Sequence, residues 1–208
     1  MTDTPMFPLE VAMLPGEQLP LRIFEPRYVA MVSDCLTMPE PAFGVVLISA
    51  GREVGGGDQR CDVGALARIV ECQNLGGARF WLMCVMGERI RVRRWLDDDP
   101  YPRAEIALWP DDPGDPIDSA RLSDVEDRMV ALYDRLAEVR GTTIHSREIV
   151  AGAAADPANR LYALAARLPM GQADRYSVLA APTEEARLEA LSEAVDSVTA
   201  MVEFQLSE

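Results

Sequence analysis

The chain contains no lysine: all 20 of its basic residues are arginine. A phosphate loop of the Walker A type requires its lysine, so that class of ATPase is excluded. A Ser–Lys dyad and Schiff-base chemistry on lysine are excluded with it. The absence itself reads as a composition bias. Histidine is nearly absent too. The single His145 rules out a multi-histidine metal site and, with no acid or nucleophile assigned to it, gives no base for catalysis. It reads as a surface or capping residue. Cysteine is scarce. Cys35, Cys61, Cys72 and Cys84 form no C-x-x-C pair, so zinc ligation is not indicated. They are expected to be buried and reduced, with Cys72 and Cys84 flanking one hairpin. Long apolar runs are missing as well, and none approaches the roughly 18 residues that span a bilayer. The first five residues, Met1 to Pro5, have neither the basic region nor the apolar core of a secretory signal. A cytoplasmic protein without a membrane partner is the expectation.

What is present is acid. The formal net charge is −14, which disfavours nucleic acid as a partner because phosphate neutralisation needs clustered cations. The charge is uneven. Residues 1–110 hold 11 arginines against 15 acids, net −4, and residues 111–208 hold 9 against 19, net −10. Three consecutive acids, Asp97, Asp98 and Asp99, precede Pro100 and read as a solvated turn rather than a cation site. Gly55-Gly56-Gly57 has no phosphate-loop context.

The chain is organised around residues 19–28, LPLRIFEPRY. Leu19, Leu21 and Ile23 alternate with Pro20 and Arg22, the period of a half-buried strand. Pro20 places that strand at a sheet edge. Pro26 suits the first turn of a helix, where its missing N–H has no partner to lose. Tyr28, Met31, Val32 and Cys35 then recur at helical spacing. Phe24 is expected to pack beneath this helix and Tyr28 to be partly exposed, with its hydroxyl toward water.

Other strands are read over 7–13, over the unbroken apolar run 43–48, over 63–69, over 80–86 with an interruption at Gly87, over 89–93 and over 104–108. Arg89, Arg91 and Arg93 would give the fifth of these a cationic outer face. Residues 51–58 read as a loop, and 74–77 as a hairpin loop. About six or seven short strands with glycine-rich turns predict a closed or nearly closed barrel holding one inserted helix.

A Pro-, Gly- and Asp-rich connector over 111–117 separates a first domain, 1–110, from a second, 118–208. The second reads as wholly helical. Leu122, Val125, Met129, Leu132, Leu136 and Val139 form one apolar seam, with Ser123 and Glu126 matching a capping box. Gly141 would end that helix. Further helices are read over 158–168 and 174–179. A last one is capped by Thr183, with Leu188, Leu191, Val195, Val198 and Val202 as its seam.

Several blocks carry a resemblance. They are Phe7-Pro8-Leu9, Leu14-Pro15-Gly16, residues 19–28, Met31-Val32, residues 43–48, Gly51-Arg52-Glu53-Val54-Gly55 and Val63-Gly64. In order and spacing they look like the N-terminal substrate-binding domain of ATP-dependent Lon proteases over roughly residues 5–109; the Lon-like part of cereblon is related. The helical half is similar in layout to the helical extension of that domain. The resemblance implies an α+β fold: a PUA-like β-barrel followed by a C-terminal α-helical bundle. It implies recognition of unfolded or tagged protein segments rather than their cleavage, with no catalytic residue, metal or cofactor, and an accessory role in protein quality control. An ATP-dependent protease acting in trans is a further candidate partner. The candidate binding residues are Arg22, Phe24, Glu25, Arg27 and Tyr28, all of which could equally hold the corner in place. A rival reading is a small-molecule or nucleotide-binding PUA-like barrel.

Overall fold

A computed structural model describes residues 2–51, 59–114, 116–155 and 159–207. The Gly55–Gly57 triplet and most of its loop lie outside the described residues, as does the start of the helix expected from 158. The chain is mixed α+β and divides into two compact units, Met1–Pro110 and Asp111–Glu208.

The first unit contains six strands: β1 (Thr2–Leu9), β2 (Gln18–Ile23), β3 (Ala42–Ala50), β4 (Gln59–Asn74), β5 (Phe80–Trp95) and β6 (Arg103–Leu108). One helix, α1 (Pro26–Cys35), follows β2. They form one sheet in the order β2-β5-β4-β3-β1-β6, and β5 also pairs with β6. Five strands, β5-β4-β3-β1-β6, thus form a closed ring of pairings, and β2 adds an edge alongside β5. Pro20 sits on that edge strand, where its missing donor leaves the ladder to β5 undisturbed.

The apolar run in β3 is buried along residues 43–48 because each face of the strand meets a core. Phe43 and Val45 join one apolar cluster with Phe7, Leu82 and the buried face of α1. Val46 joins a second with Met6, Ile90 and Ile106. Gly64 is required by close approach: a side-chain carbon there would collide with the Val45 carbonyl oxygen. The two strands expected over 80–86 and 89–93 are one strand, β5. Gly87 and Glu88 together face the single residue Leu66, since Ala65 pairs with Arg89 and Ala67 with Met86. Gly87 is therefore a bulge within a continuous strand.

Three expectations for this unit need correction. β1 stops at Leu9, and Val11 is exposed. Arg89 is not on a cationic outer face. It is buried, with its guanidinium 4.2 Å from the Trp109 ring centroid and that of Arg91 at 3.8 Å, so the aromatic face receives the cation within the fold. Cys72 is exposed while Cys35 and Cys84 are buried. Cys84 pairs with Ile69 and Cys72 with Leu82 across the hairpin, so the two thiols do not stand opposite one another.

The second unit contains α2 (Ser119–Arg140), α3 (Ser146–Ala151), a 3-10 turn (Gly152–Ala155), α4 (Arg160–Arg167), α5 (Gln172–Ala180) and α6 (Glu184–Ser207). Helix α2 begins earlier than the capping box suggested. Asp118 is the cap and accepts a hydrogen bond from the Ala120 N–H at 2.9 Å, which leaves Ser123 inside the helix. Its buried stripe is Val125, Met129, Leu132, Tyr133 and Ala137, and Val139 is exposed. A 3.6-residue period drifts off a strict seven-residue repeat over five turns, so the end of the expected seam rotates out of the core. Gly141 caps the helix in the left-handed region at φ 60°, sending its N–H back to Ala137 and Glu138. Thr183 caps α6, its Oγ1 accepting from the Ala186 N–H at 3.1 Å, and all five residues of the expected α6 seam are buried. Helix α3 was missed because six residues are too short for a periodic signal. His145 precedes it with an exposed side chain, 3.8 Å from Glu148.

Candidate binding groove

The corner at residues 22–28 is built by one local rule. Ile23 closes β2, Glu25 keeps extended backbone angles, and Pro26 starts α1 without needing a hydrogen-bond partner. Glu25 holds the junction twice. Its carbonyl accepts from the Val29 N–H at 2.9 Å, and its carboxylate accepts from Arg27 Nε at 3.1 Å. Arg27 also lies over the Tyr28 ring, 4.4 Å from its centroid.

Two expectations for the corner are reversed. Phe24 is 65% exposed and Tyr28 only 5%. Helix geometry decides this. Tyr28 lies on the stripe shared by Met31, Val32 and Cys35, the buried face of α1, and its ring packs 4.3 Å from that of Phe7. Phe24 precedes the helix, beyond the last paired residue of β2, where neither element offers it a core.

The five sequence candidates therefore separate. Arg22 and Phe24 line a solvent-open groove of about 610 Å³, together with Ile23, Gln73, Leu75, Arg79, Phe80 and Trp81. Glu25 and Arg27 pair with one another and do not line it, and Tyr28 belongs to the core. The groove's floor comes from strand register. Arg22 stands beside Trp81, and Trp81 beside Gln73, so three adjacent strands present these residues on one face. Trp81 and Phe80 are consecutive in a strand and must point to opposite faces. That alternation is the sequence signal for an outward aromatic at position 81, which the expectation of a strand over 80–86 did not single out.

The turn between β4 and β5 sets the wall. The Asn74 side chain accepts from the Gly76 N–H at 2.9 Å, and the Leu75 N–H donates to the Arg79 carbonyl at 2.9 Å. Gly76, Gly77 and Ala78 all have positive φ, 77°, 60° and 53°, a region that glycine enters readily at the first two positions and that alanine seldom adopts. The turn holds Leu75 outward, 49% exposed, and Arg79 Nε donates to the Gly76 carbonyl at 3.3 Å. Phe24, Leu75 and Trp81 thus offer apolar surface in a groove that Arg22 and Arg79 also line.

Asp98 accepts two hydrogen bonds from Arg60, at 2.7 and 3.1 Å, and no group of three or more metal-ligating side chains occurs among the described residues. Burial raises the Cys35 and Cys84 thiols from 9.0 to about 12, which keeps them protonated and unreactive at neutral pH. Burial, and then a 2.7 Å hydrogen bond to Asp34, raises the Tyr101 phenol to about 12.

The family model of the substrate-binding domain of ATP-dependent protease La (Lon) matches residues 3–197. The chain belongs to the Lon substrate-binding domain family. The solved structure of a Lon N-terminal domain protein from Xanthomonas campestris is similar at 26% identity and a TM-score of 0.66, covering 92% of this chain and 97% of that one. The N-terminal domain of the Mycobacterium avium complex Lon protease shares the fold at 12% identity and a TM-score of 0.63, covering 94% and 98%. No curated protein matches significantly. The matched family model is that of a substrate-binding domain and contains no catalytic domain. No helix among the described residues is long and apolar enough to cross a membrane.

Proposed function

We propose that this Lon substrate-binding domain protein is a non-catalytic module that captures extended, apolar segments of unfolded or tagged proteins in the groove beside Phe24 and Trp81. The observation that carries this reading is the exposure of Phe24 at the end of an edge strand, next to Leu75 and Trp81. An exposed aromatic beside a half-buried one in a single concavity signals contact with a partner more than stability. In this reading the closed ring of strands is the PUA-like barrel, residues 1–110, and residues 118–208 form the helical bundle beyond the 111–117 connector. The module serves as an accessory factor in protein quality control, in the cytoplasm, with an ATP-dependent protease recruited in trans. Without the phosphate-loop lysine or a nucleophile–base pair, the chain itself hydrolyses neither ATP nor peptides.

Titration of fluorescent unfolded-protein peptides against the purified chain tests the groove. Phe24→Ala and Trp81→Ala are expected to weaken capture about tenfold each, on the scale of aromatic contacts at interfaces, while thermal melts of Phe24→Ala stay near the parent. Undiminished capture by both variants would remove the site from this groove. Saturable binding of nucleotides with no peptide capture would favour the small-molecule reading instead.

A further inference from the structure

The groove's charge is opposite to that of the protein. Its eight lining residues include two cations, Arg22 and Arg79, and no acid, on a chain of net charge −14. Neither guanidinium has a carboxylate partner among the described residues; Arg79 bonds only a backbone carbonyl. Other arginines of the same unit do have such partners: Arg27 with Glu25, Arg60 with Asp98, Arg68 with Glu88, Arg94 with Glu105 and Arg103 with Asp3, while Arg91 lies on the Trp109 ring. A guanidinium left without a carboxylate beside exposed aromatic surface is prepared for a planar anion, which it binds in two-point fashion.

Resting on the reading of this groove as the substrate contact, we propose that it selects extended apolar segments carrying aspartate or glutamate side chains and disfavours those carrying arginine or lysine. The apolar side chains of the segment lie on Phe24, Leu75 and Trp81, and its carboxylates meet Arg22 and Arg79. The two cations sit on different elements, Arg22 on β2 and Arg79 on the β4–β5 turn. Two separated cations match acids spaced along a segment rather than one carboxylate at a chain terminus. The net charge of the whole protein works against this preference at long range, so a preference for acids has to originate in the groove.

The test uses the full chain and three fluorescent peptides of one apolar–aromatic sequence, bearing two aspartates, two asparagines or two arginines. Each is made with a free and an amidated C-terminus, and binding is read by anisotropy. The aspartate peptide is expected to bind about three- to tenfold tighter than the asparagine peptide, the range for one or two partly exposed charge pairs. The arginine peptide should bind weakest. The R22Q/R79Q double variant should lose the preference for aspartate, binding the aspartate and asparagine peptides with equal affinity. Equal binding of the aspartate and asparagine peptides overturns the proposal. So does a preference that survives in the double variant, or one that follows the free C-terminus alone. If no peptide binds, or if capture is undiminished in Phe24→Ala, the groove itself is refuted as the contact; capture that depends on Phe24 but ignores charge refutes only the selection for acids.

Discussion

In the helical unit, Arg121, Arg128 and Arg135 stand seven residues apart on α2, and each reaches across to α6. Arg121 pairs with Glu185 and Glu189. Arg128 pairs with Asp196 and bonds Ser192, at 2.5 and 2.6 Å, besides Asp124 on its own helix at 2.9 Å. Arg135 pairs with Glu203 at 3.2 Å. In the strand unit, Arg22 and Arg79 face the groove without such partners. The α2 row and the groove thus hold the same residue in different surroundings. Two long helices side by side present regular rows, so a seven-residue repeat of cations on one meets carboxylates on the other. The corner and hairpin of the strand unit offer no facing row, and Arg22 and Arg79 stay without carboxylate partners among the described residues.

The sharpest way to break this comparison is to damage one unit and watch the other. Trp81, Trp95 and Trp109 all lie within residues 1–110, so tryptophan fluorescence follows the strand unit, while far-ultraviolet circular dichroism is dominated by the helices. Phe43 is fully buried, and Phe43→Ala is expected to cost about 3–5 kcal/mol, seen as a shift in the fluorescence transition. Leu191→Ala, also at a fully buried site, should cost about 2–5 kcal/mol and shift the dichroism transition first. Identical movement of both signals by both variants would show one cooperative unit and dissolve the comparison.

The corner gives a second contrast. Tyr28→Ala should destabilise by about 3 kcal/mol, as for a buried aromatic. Phe24→Ala should stay within about 1 kcal/mol, as for an exposed site, and reveal itself only in binding. A large stability loss in Phe24→Ala would return that residue to a structural role.

The arginines provide a smaller effect. Arg128→Ala is expected to cost about 1 kcal/mol, the upper end for a partly exposed ion pair, and less at high salt. Arg22→Gln should leave the denaturation midpoint unchanged. Equal costs for the two would erase the distinction between paired and unpaired cations.

The thiols sharpen it last. Cys35 and Cys84 hold their protons to about pH 12 in the folded chain, against 9.0 ordinarily, because they are buried. Tyr101 behaves likewise, from 10.0 to about 12. Above pH 9 the unfolded chain releases these protons and the folded chain does not, so stability is fully present below pH 9 and falls as pH rises toward 12. All three groups lie in the strand unit, so the fluorescence transition should respond there more than the helical one. A thiol reagent at pH 8 should modify exposed Cys72 well before Cys35 or Cys84; equal rates would contradict the burial.

Local chemistry alone determined much of the molecule. The Pro26 start of α1, its buried face, the buried run of β3, the Gly141 and Thr183 caps and the α6 seam each follow from a few neighbouring residues, because period and capping are short-range rules. The tertiary structure decided where those rules run out. Phe24 and Tyr28 exchanged roles because exposure depends on which face of α1 meets Phe7, a residue 21 positions away from Tyr28 in the sequence. The groove itself joins Arg22 and Phe24 to Gln73, Leu75, Arg79 and Trp81, some fifty residues apart in the chain. Only strand register places Arg22 beside Trp81, and register is fixed by pairing along the whole of β2, β4 and β5 rather than by any stretch of sequence read alone.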